Sequence, residues 1–262
     1  MAMALAGLKM IKATLPPRVL IYGPPGKGKT TLASEFPNPV FILVEDGLPS
    51  GLELAGWDEI DQFATVMEAM VAVLEDDHDF QTLVIDSIDK LEPLLWDHLC
   101  REKKWASIED PGFGKGYIEA DKLWREFLAL AARIRRERQM GIVFISHSEI
   151  GRFDDPSNAS YSRYDIRLHK RAVAQFQDEV DAILFLNEDV TVKEEKTAFG
   201  GKEIKAKGGG NRWIYTEGRP SFVAKNRYGL PEKFQYKPGE GYNVLAPHFP
   251  MPARPALGEA TE

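Results

Sequence analysis

The stretch Gly23-Pro24-Pro25-Gly26-Lys27-Gly28-Lys29-Thr30 decides how this sequence folds. It matches every position of the pattern G-x-x-x-x-G-K-[ST], the phosphate-cradling P-loop. An apolar run with strand composition precedes it at residues 18–22, and residues 31–36 follow as a plausible first helix. The pattern requires a strand before it and a helix after it, and this sequence supplies both.

Each residue type in the motif has a physical purpose. Glycines let the backbone curl so that successive N–H groups face an anion, and the following helix directs its positive end at the same point. Lys29 would reach the β- and γ-phosphates, and the Thr30 hydroxyl would bind Mg²⁺. A glycine-rich turn with a chance lysine is the competing interpretation. We therefore predict ATP and Mg²⁺ as ligands, with the nucleotide held by Gly23, Pro24, Pro25, Gly26, Lys27, Gly28, Lys29, Thr30 and Thr31.

Composition narrows the class of protein. The chain has 262 residues and a net charge of −7, so overall charge does not indicate a nucleic-acid binder, although a local basic surface remains compatible with one. Cys100 is the single cysteine, which rules out an internal disulfide and a cysteine-cluster zinc site. No apolar run is long enough to span a bilayer, and the N-terminus is too short for a signal peptide. We expect a cytoplasmic protein with no membrane contact.

Apolar runs bounded by turns alternate with helical patterns through most of the chain. Such alternation predicts an α/β fold with a mainly parallel sheet flanked by helices. The predicted strands are residues 18–22, 40–44, 82–86, 141–145 and 180–186. The predicted helices are residues 65–76, 118–139 and 170–179.

The pattern changes from about residue 188. Short β-like runs separated by glycine-rich turns, including Gly208-Gly-Gly210, predict a β-meander that extends the sheet. Residues 246–262 are rich in proline and poor in large apolar residues, which predicts disorder. The expected organisation is a lead-in at 1–17, an ATPase core at 18–245 and a tail at 246–262.

Two strand ends carry candidate site residues. Asp86 ends an apolar strand, the arrangement of a Walker B carboxylate that holds Mg²⁺ together with Thr30. The competing interpretation is a helix N-cap. His147 follows the strand at 141–145, where a polar side chain can sense a γ-phosphate, although a structural histidine fits the pattern too.

Two segments, residues 100–118 and 149–169, are predicted as polar loops. They mix cations, aromatics and glycines, as single-strand nucleic-acid binding loops do by stacking and phosphate contacts. Solvated connectors are the competing interpretation. The DNA-binding candidates are Lys104, Trp105, Phe113, Lys115, Tyr117, Arg152, Arg163, Tyr164 and Arg167.

The order of these parts resembles the RecA-like ATPase core. The segment Phe222-Val-Ala-Lys225-Asn226-Arg227 resembles the Val-Val-Lys-Asn-Lys segment of bacterial RecA. More closely, residues 15–240 or so resemble phage-encoded RecA-like ATPases of the Sak type, which are single-strand annealing recombinases reduced to the bare core.

The resemblance implies roles for particular residues. Lys225 and Arg227 would reach the γ-phosphate of a neighbouring subunit, so that ATP lies at subunit interfaces of a homo-oligomer. Glu45 would be the general base, although Asp46 follows it and either carboxylate could act. The two loops would bind single-stranded DNA inside a bacterial host cell, with a single-strand binding protein as a further candidate partner.

There are departures from RecA. We expect no counterpart of its N-terminal polymerisation element or of its C-terminal domain, and His147 stands where RecA has glutamine. These departures favour rings or partner-dependent assembly over a RecA-style filament.

Three other functions remain open from the sequence. An AAA+ remodeller or helicase loader would need a helical lid with a sensor arginine, whereas the later part of this chain has a β pattern. A small-molecule kinase would need a lid and an acceptor pocket. A non-hydrolysing module would bind ATP and signal its occupancy to partners.

Overall fold

The computed structural model describes residues 14–58, 60–155, 159–196 and 202–250. Within them a ten-stranded assembly has its main path in the order β10-β8-β7-β1-β5-β4-β2-β3, with β6 paired to β5 and β9 paired to β7. The strands are β1 Arg18–Gly23, β2 Pro39–Leu43, β3 Ala55–Trp57, β4 Thr82–Asp86, β5 Gly141–Phe153, β6 Tyr161–Ile166, β7 Ala182–Lys196, β8 Lys202–Tyr215, β9 Lys225–Asn226 and β10 Lys233–Tyr236. The helices are α1 Lys29–Ser34, α2 Phe63–Glu75, α3 Ile88–Lys103, α4 Lys115–Glu137, α5 Lys170–Glu179 and α6 Gly241–Leu245.

The neighbours β7, β1, β5, β4, β2 and β3 all pair in parallel. Their carboxyl ends therefore meet at one edge of the sheet, which we call the carboxyl edge. The opposite edge is called the amino edge. The predicted fold class is confirmed: this is a mixed α/β protein with a mostly parallel, helix-flanked sheet, the RecA-like P-loop arrangement.

Alternation along the strands explains the two helical layers. In β1, Leu20 and Tyr22 pack into the core that includes α2 to α5, whereas Val19 and Ile21 pack into the core beneath α1 and α6. A strand in the middle of such a sheet is apolar on both faces, which is why it appeared as an unbroken hydrophobic run.

The second predicted loop is largely regular structure, so that prediction was wrong, whereas most of the first is a loop as predicted. The second of them is mostly an antiparallel hairpin, because β5 continues to Phe153 and pairs with β6 from Ser148↔Ile166 to Phe153↔Tyr161. Helix α3 extends into the first loop and α4 begins inside it, which leaves residues 104–114 as the connection.

The region after β7 extends the sheet with antiparallel strands, as the predicted meander requires, but it differs from the prediction in detail. Gly208 to Gly210 were predicted as a turn but lie within β8, which forms a long antiparallel hairpin with β7. After β8, Phe222 forms only isolated bridges, to Tyr164 and Arg219.

The predicted disordered tail begins too early. A 3₁₀ turn follows α6 at Ala246–His248, and the ring of Phe249 packs 6.1 Å from that of Phe36 and 5.1 Å from that of Tyr228. One aromatic side chain is therefore sufficient to dock the first turn of a proline-rich segment. The prediction for residues 251–262 lies outside the described residues.

Candidate nucleotide-binding site

The loop between β1 and α1 needs glycine at two positions. A Cβ at Gly23 would lie 2.1 Å from the Leu186 carbonyl oxygen on β7, so only glycine permits this strand contact. Gly28 has a φ of +97°, and a side chain there would also meet an Arg212 guanidinium nitrogen at 3.0 Å. The motif thus places the loop backbone directly against β7 and β8.

Lys29 curls back over this loop. Its Nζ donates to the carbonyl oxygens of Gly23 and Pro24, each at 3.2 Å, and the side chain is buried. Burial lowers the pKa of the Lys29 ammonium, although nearby carboxylates, Asp86 foremost, oppose that shift. A partly desolvated cation beside a glycine loop binds a phosphate strongly, because little further water must be removed.

Thr30 and Asp86 meet across the pocket. The Thr30 hydroxyl donates to Asp86 Oδ2 at 2.6 Å, and β4 pairing with β2 and β5 fixes Asp86 at the carboxyl edge. Burial raises the pKa of the Asp86 carboxyl, and Glu45 raises it further. A buried carboxylate and a hydroxyl are hard oxygen ligands, which suits Mg²⁺. No cluster of three His, Cys, Asp or Glu that could hold a metal occurs in the described ranges, as expected for an ion shared with phosphates and water.

Glu45 and His147 form the other wall. Ser87 donates its hydroxyl to Glu45 Oε2 at 3.1 Å, and His147 Nδ1 lies 3.6 Å from the same oxygen. Asp89 binds His147 twice: its Oδ1 accepts from the backbone N–H and its Oδ2 lies 3.0 Å from Nδ1. Because Nδ1 faces a carboxylate, it carries the proton and the other ring nitrogen is left for a different partner.

These walls enclose a pocket of about 440 Å³. The pocket is lined by Thr31, Asp46 and Arg212 together with Gly28, Lys29, Thr30, Glu45, Asp86 and His147. Of the predicted nucleotide-binding residues, Pro25, Gly26, Gly28, Lys29, Thr30 and Thr31 line the pocket. Gly23 and Pro24 instead accept hydrogen bonds from Lys29, and Lys27 pairs with Glu188 on β7 at 2.9 Å.

Two polar residues of the site, one buried behind the pocket and one lining it, were not identified from the sequence. Asp89 fixes His147 although 58 positions separate them, and its only signal was its place in the first turn after Asp86. Arg212 reaches the pocket from β8, and nothing in the sequence near it marks a nucleotide contact.

A family model described as an AAA domain, AAA_24, matches residues 15–228. The chain belongs to this AAA domain family. The match includes every residue of the pocket, and with the P-loop fold it identifies a P-loop ATPase.

Two individual proteins are similar to this AAA domain protein. The Holliday junction branch migration complex subunit RuvB of Koribacter versatilis (strain Ellin345) is 32% identical over 92 residues. That match covers 35% of this chain and 21% of the relative, so the chain spans about a fifth of that relative's length. A crystal structure of the RadB recombinase aligns over 84% of this chain and 87% of its own, with 14% identity and a TM-score of 0.47. Neither similarity shows which substrate this chain acts on.

Lys225 and Arg227 lie far from the pocket of their own subunit. Strand β9 pairs with the first residues of β7, Ala182↔Asn226, and thus sits at the amino edge. Lys225 Nζ donates to the carbonyls of Gln177 and Asp178 at the end of α5. Arg227 lies 3.4 Å from Asp181. The pocket is a strand length away, about 15 Å.

Part of the DNA-binding set is exposed. Lys104, Lys115 and Arg152 are exposed, and Phe113 is 100% exposed. Gly112, Phe113 and Gly114 all have positive φ, so the backbone presents this ring outward.

The rest of the set makes internal contacts. Trp105 packs against the core, and the Tyr117 ring stacks on His169 at 4.2 Å. Tyr164 packs against the core too, and Arg163 pairs with Asp165 and covers the Phe153 ring. Arg167 lies at the nucleotide pocket, with its guanidinium 3.8 Å from Asp89. In the described part of the chain no helix is long and apolar enough to cross a membrane.

Proposed function

We propose that this protein hydrolyses ATP as a RecA-like ATPase that acts on single-stranded DNA, in phage-type homologous recombination or strand annealing. The observation that carries the proposal is the convergence of Lys29, Asp86 and Glu45 in one pocket at the carboxyl edge. A cation for phosphates, an oxygen ligand for Mg²⁺ and a carboxylate for water are the parts that phosphoryl transfer requires.

Each group has a task in this proposal. Lys29 and the loop amides bind the β- and γ-phosphates, and Thr30 and Asp86 hold Mg²⁺, which neutralises charge on the phosphate oxygens. Glu45 orients the attacking water and accepts its proton. Ser87 holds one oxygen of Glu45 at 3.1 Å, which fixes the carboxylate without neutralising it. Asp46 also lines the pocket but is more exposed than Glu45.

His147 connects hydrolysis to the hairpin. It is the residue of β5 that aligns with Gly23, and its carbonyl accepts from the Arg167 N–H where β6 has just ended. Loss of the γ-phosphate would change the contacts of the His147 ring and so the position of the β5–β6 hairpin.

Lys225 and Arg227 act in trans in this proposal. Both lie at the amino edge, so neither reaches the pocket of its own subunit. In a homo-oligomer they would enter a neighbour's pocket and neutralise charge that develops during hydrolysis. An arginine finger of this kind is worth about 10³–10⁵ in rate in other P-loop enzymes. A ring is the assembly that we favour.

Helix α4 and the β5–β6 hairpin project beyond the carboxyl edge and form the proposed DNA surface. Helix α4 has 23 residues, about 35 Å, whereas the five-residue β4 spans about 17 Å. Its first turn lies beside His169, just past the hairpin, as the Tyr117 stacking shows. Phe113 offers a ring for base stacking, and Lys104 and Lys115 offer phosphate contacts.

A second candidate function is an AAA+ ATPase or helicase loader that acts on a protein partner. The family match favours it, because the family is described only as an AAA domain. In that case the exposed Phe113 would contact a protein instead of a base.

The deciding experiment measures ATP hydrolysis at micromolar protein with and without single-stranded DNA, beside Lys29→Ala. We expect turnover that rises with DNA and disappears in the variant. Turnover indifferent to DNA would favour the protein-partner function. ATP binding without turnover would favour a non-hydrolysing module.

The DNA surface has its own test. Phe113→Ala should weaken single-strand binding by about 1–3 kcal/mol, the value of one stacked base, while leaving the Tm unchanged because the ring touches nothing. Val71→Ala, which removes another exposed apolar side chain on α2, is the matched control. Equal affinities of the two variants would remove Phe113 from the DNA surface.

A further inference from the structure

Charge is distributed unevenly along this chain. Residues 30–89 contain 14 Asp and Glu and no Lys or Arg, so all 33 cationic side chains lie elsewhere. In the structure this acidic span supplies α1, α2, β4 and the outer strands β2 and β3. One end of the sheet is therefore strongly acidic and the rest of the molecule is basic.

An open groove of about 910 Å³ lies on the basic part, between α4 and α5. Its floor is apolar, made of Leu128, Ala132 and Ala174. Its rim carries five cations: Arg18, Arg125, Arg136, Lys170 and Arg171.

The groove has unsatisfied polar groups. Arg171 pairs with Asp121 and Arg18 pairs with Glu179. The other three cations form no ion pair within the ranges that the structure describes, and the Oε1 atom of Gln175, another lining residue, is buried there without a hydrogen-bond partner. A ligand that brings both apolar side chains and carboxylates would match the apolar floor and these three cations, whereas Gln175 Oε1 is an acceptor and would need a donor.

The groove adjoins the proposed trans residues. Asp178 lines its wall, and the carbonyl of Asp178 accepts from Lys225 Nζ. Whatever occupies this end of the groove lies next to Lys225.

A segment with the complementary chemistry occurs in the same chain. Residues 46–58 contain Asp46, Glu53 and Asp58 but no cation, and they expose Leu48 at 44% and Trp57 at 38%. The beginning of this segment lines the nucleotide pocket. If the groove of one subunit bound this segment of a second subunit, the nucleotide pocket of the second subunit would lie close to Lys225 of the first.

We propose that the α4–α5 groove binds residues 46–58 of a second copy of this chain. The inference rests on the proposed function, because it supplies the contact that places Lys225 and Arg227 at the neighbour's nucleotide. The two surfaces differ, so the contact is head-to-tail and produces a closed ring or an open helix. Opposite charges across it make assembly sensitive to salt.

Charge reversal on each side tests the contact by sedimentation velocity with ATP, Mg²⁺ and single-stranded DNA present. The groove variant is Arg125→Glu with Arg136→Glu, and the segment variant is Glu53→Lys with Asp58→Lys. The control is Lys122→Glu with Arg133→Glu, two exposed cations of α4 that do not line the groove. We expect each test variant alone to associate about tenfold or more weakly than wild type, and the control to associate like wild type.

A mixture of the groove variant and the segment variant decides whether these two surfaces bind each other. Each test variant carries like charge on both of its surfaces, whereas a one-to-one mixture pairs opposite charges at every contact, so assembly should recover. Association of either single variant at wild-type strength, no recovery on mixing, or a monomeric wild type would overturn the proposal. Nucleotide binding and hydrolysis are measured on the same samples: wild type that assembles as expected but never hydrolyses ATP would contradict the proposed function and leave the contact intact.

Discussion

The two edges of the parallel sheet carry opposite chemistry. At the carboxyl edge Asp86, Glu45 and Asp89 surround a single lysine, Lys29, and the pKa of the Asp86 carboxyl lies above its ordinary value because burial dominates. At the amino edge the relation reverses. Burial alone would raise the pKa of Asp181, but Arg135 and Arg18 outweigh it and lower that pKa.

Lys29, Arg212 and Arg167 thus lie among several carboxylates at the carboxyl edge, whereas at the amino edge several cations share Asp181. A nucleotide with Mg²⁺ suits the first edge, and the second has cations to spare for another molecule's phosphates. This difference motivates the proposal that the site is completed between subunits.

The largest expected effect is at the amino edge. Lys225→Ala should reduce hydrolysis by assembled protein by about 10³-fold or more, and should not change hydrolysis by dilute monomers, because Lys225 does not reach its own pocket. Steady-state rates across a concentration series measure this. Lys237→Ala, which removes an exposed lysine on the same part of the chain, is the control.

A mixture of two inactive variants tests that prediction more sharply. Lys29→Ala subunits keep the amino-edge cations, and Lys225→Ala subunits keep an intact pocket. A mixture of the two inactive variants should regain activity. A mixture as inactive as its components would show that Lys225 does not act across an interface.

The next effect is at the carboxyl edge. Glu45→Gln keeps the hydrogen bond from Ser87 but cannot accept a proton, so the rate should fall by about 10²–10⁴ while ATP affinity is retained. Asp46→Asn should change the rate less than tenfold. Single-turnover hydrolysis and nucleotide titration separate the two quantities, and the reverse order of the variants would make Asp46 the base.

The parallel core was predictable because its strands are short and apolar on both faces. Residues 18–22, 82–86 and 141–145 appeared as uninterrupted runs, and the P-loop and Asp86 could be located at their ends. The β5–β6 hairpin was missed because its strands are polar and alternate only weakly: Ser148 to Phe153 on β5 has the composition of a loop. What stabilises them is pairing with a later strand, which a local pattern does not record.

The residues of the site likewise divide into those that the sequence predicts and those that it does not. Its P-loop residues are neighbours in sequence, so a motif captured them. Asp89 holds His147 from behind the pocket and Arg212 lines the pocket, each through contacts between distant elements, so no local pattern marks them. Conversely, Tyr117 and Tyr164 looked like binding aromatics because composition does not distinguish an exposed ring from a packed one.

A smaller effect concerns stability at the amino edge. Asp181 accepts from Tyr228 at 3.0 Å and lies 2.9 Å from Arg135 and 3.4 Å from Arg18. Asp181→Asn removes the one carboxylate that they share, so unfolding free energy should fall by about 3 kcal/mol. Glu179→Gln, whose half-exposed carboxylate also pairs with Arg18, should cost less than about 1 kcal/mol. Urea denaturation measures both, and equal losses would contradict the shared-carboxylate explanation.

The smallest expected effect is a change of stability with pH, and its source lies between the edges, on α3. Glu92, one turn beyond Asp89, accepts from the His169 N–H at 2.8 Å but forms no ion pair with any residue that the structure describes, and burial raises the pKa of its carboxyl from 4.5 to about 7. The folded protein therefore binds this proton more tightly than the unfolded chain does. Stability should fall as pH rises from about 4.5 to about 7, by roughly 1–3 kcal/mol.

Glu92→Gln removes this dependence, because the amide is neutral throughout the range and can still accept from His169. The Tm of the variant should therefore change less than that of wild type between pH 5 and pH 7. Glu126→Gln, which changes an exposed carboxylate on α4, should keep the wild-type slope. Identical slopes in all three proteins would mean that Glu92 is ionised in the folded state across this range, which would contradict the effect of burial on its pKa.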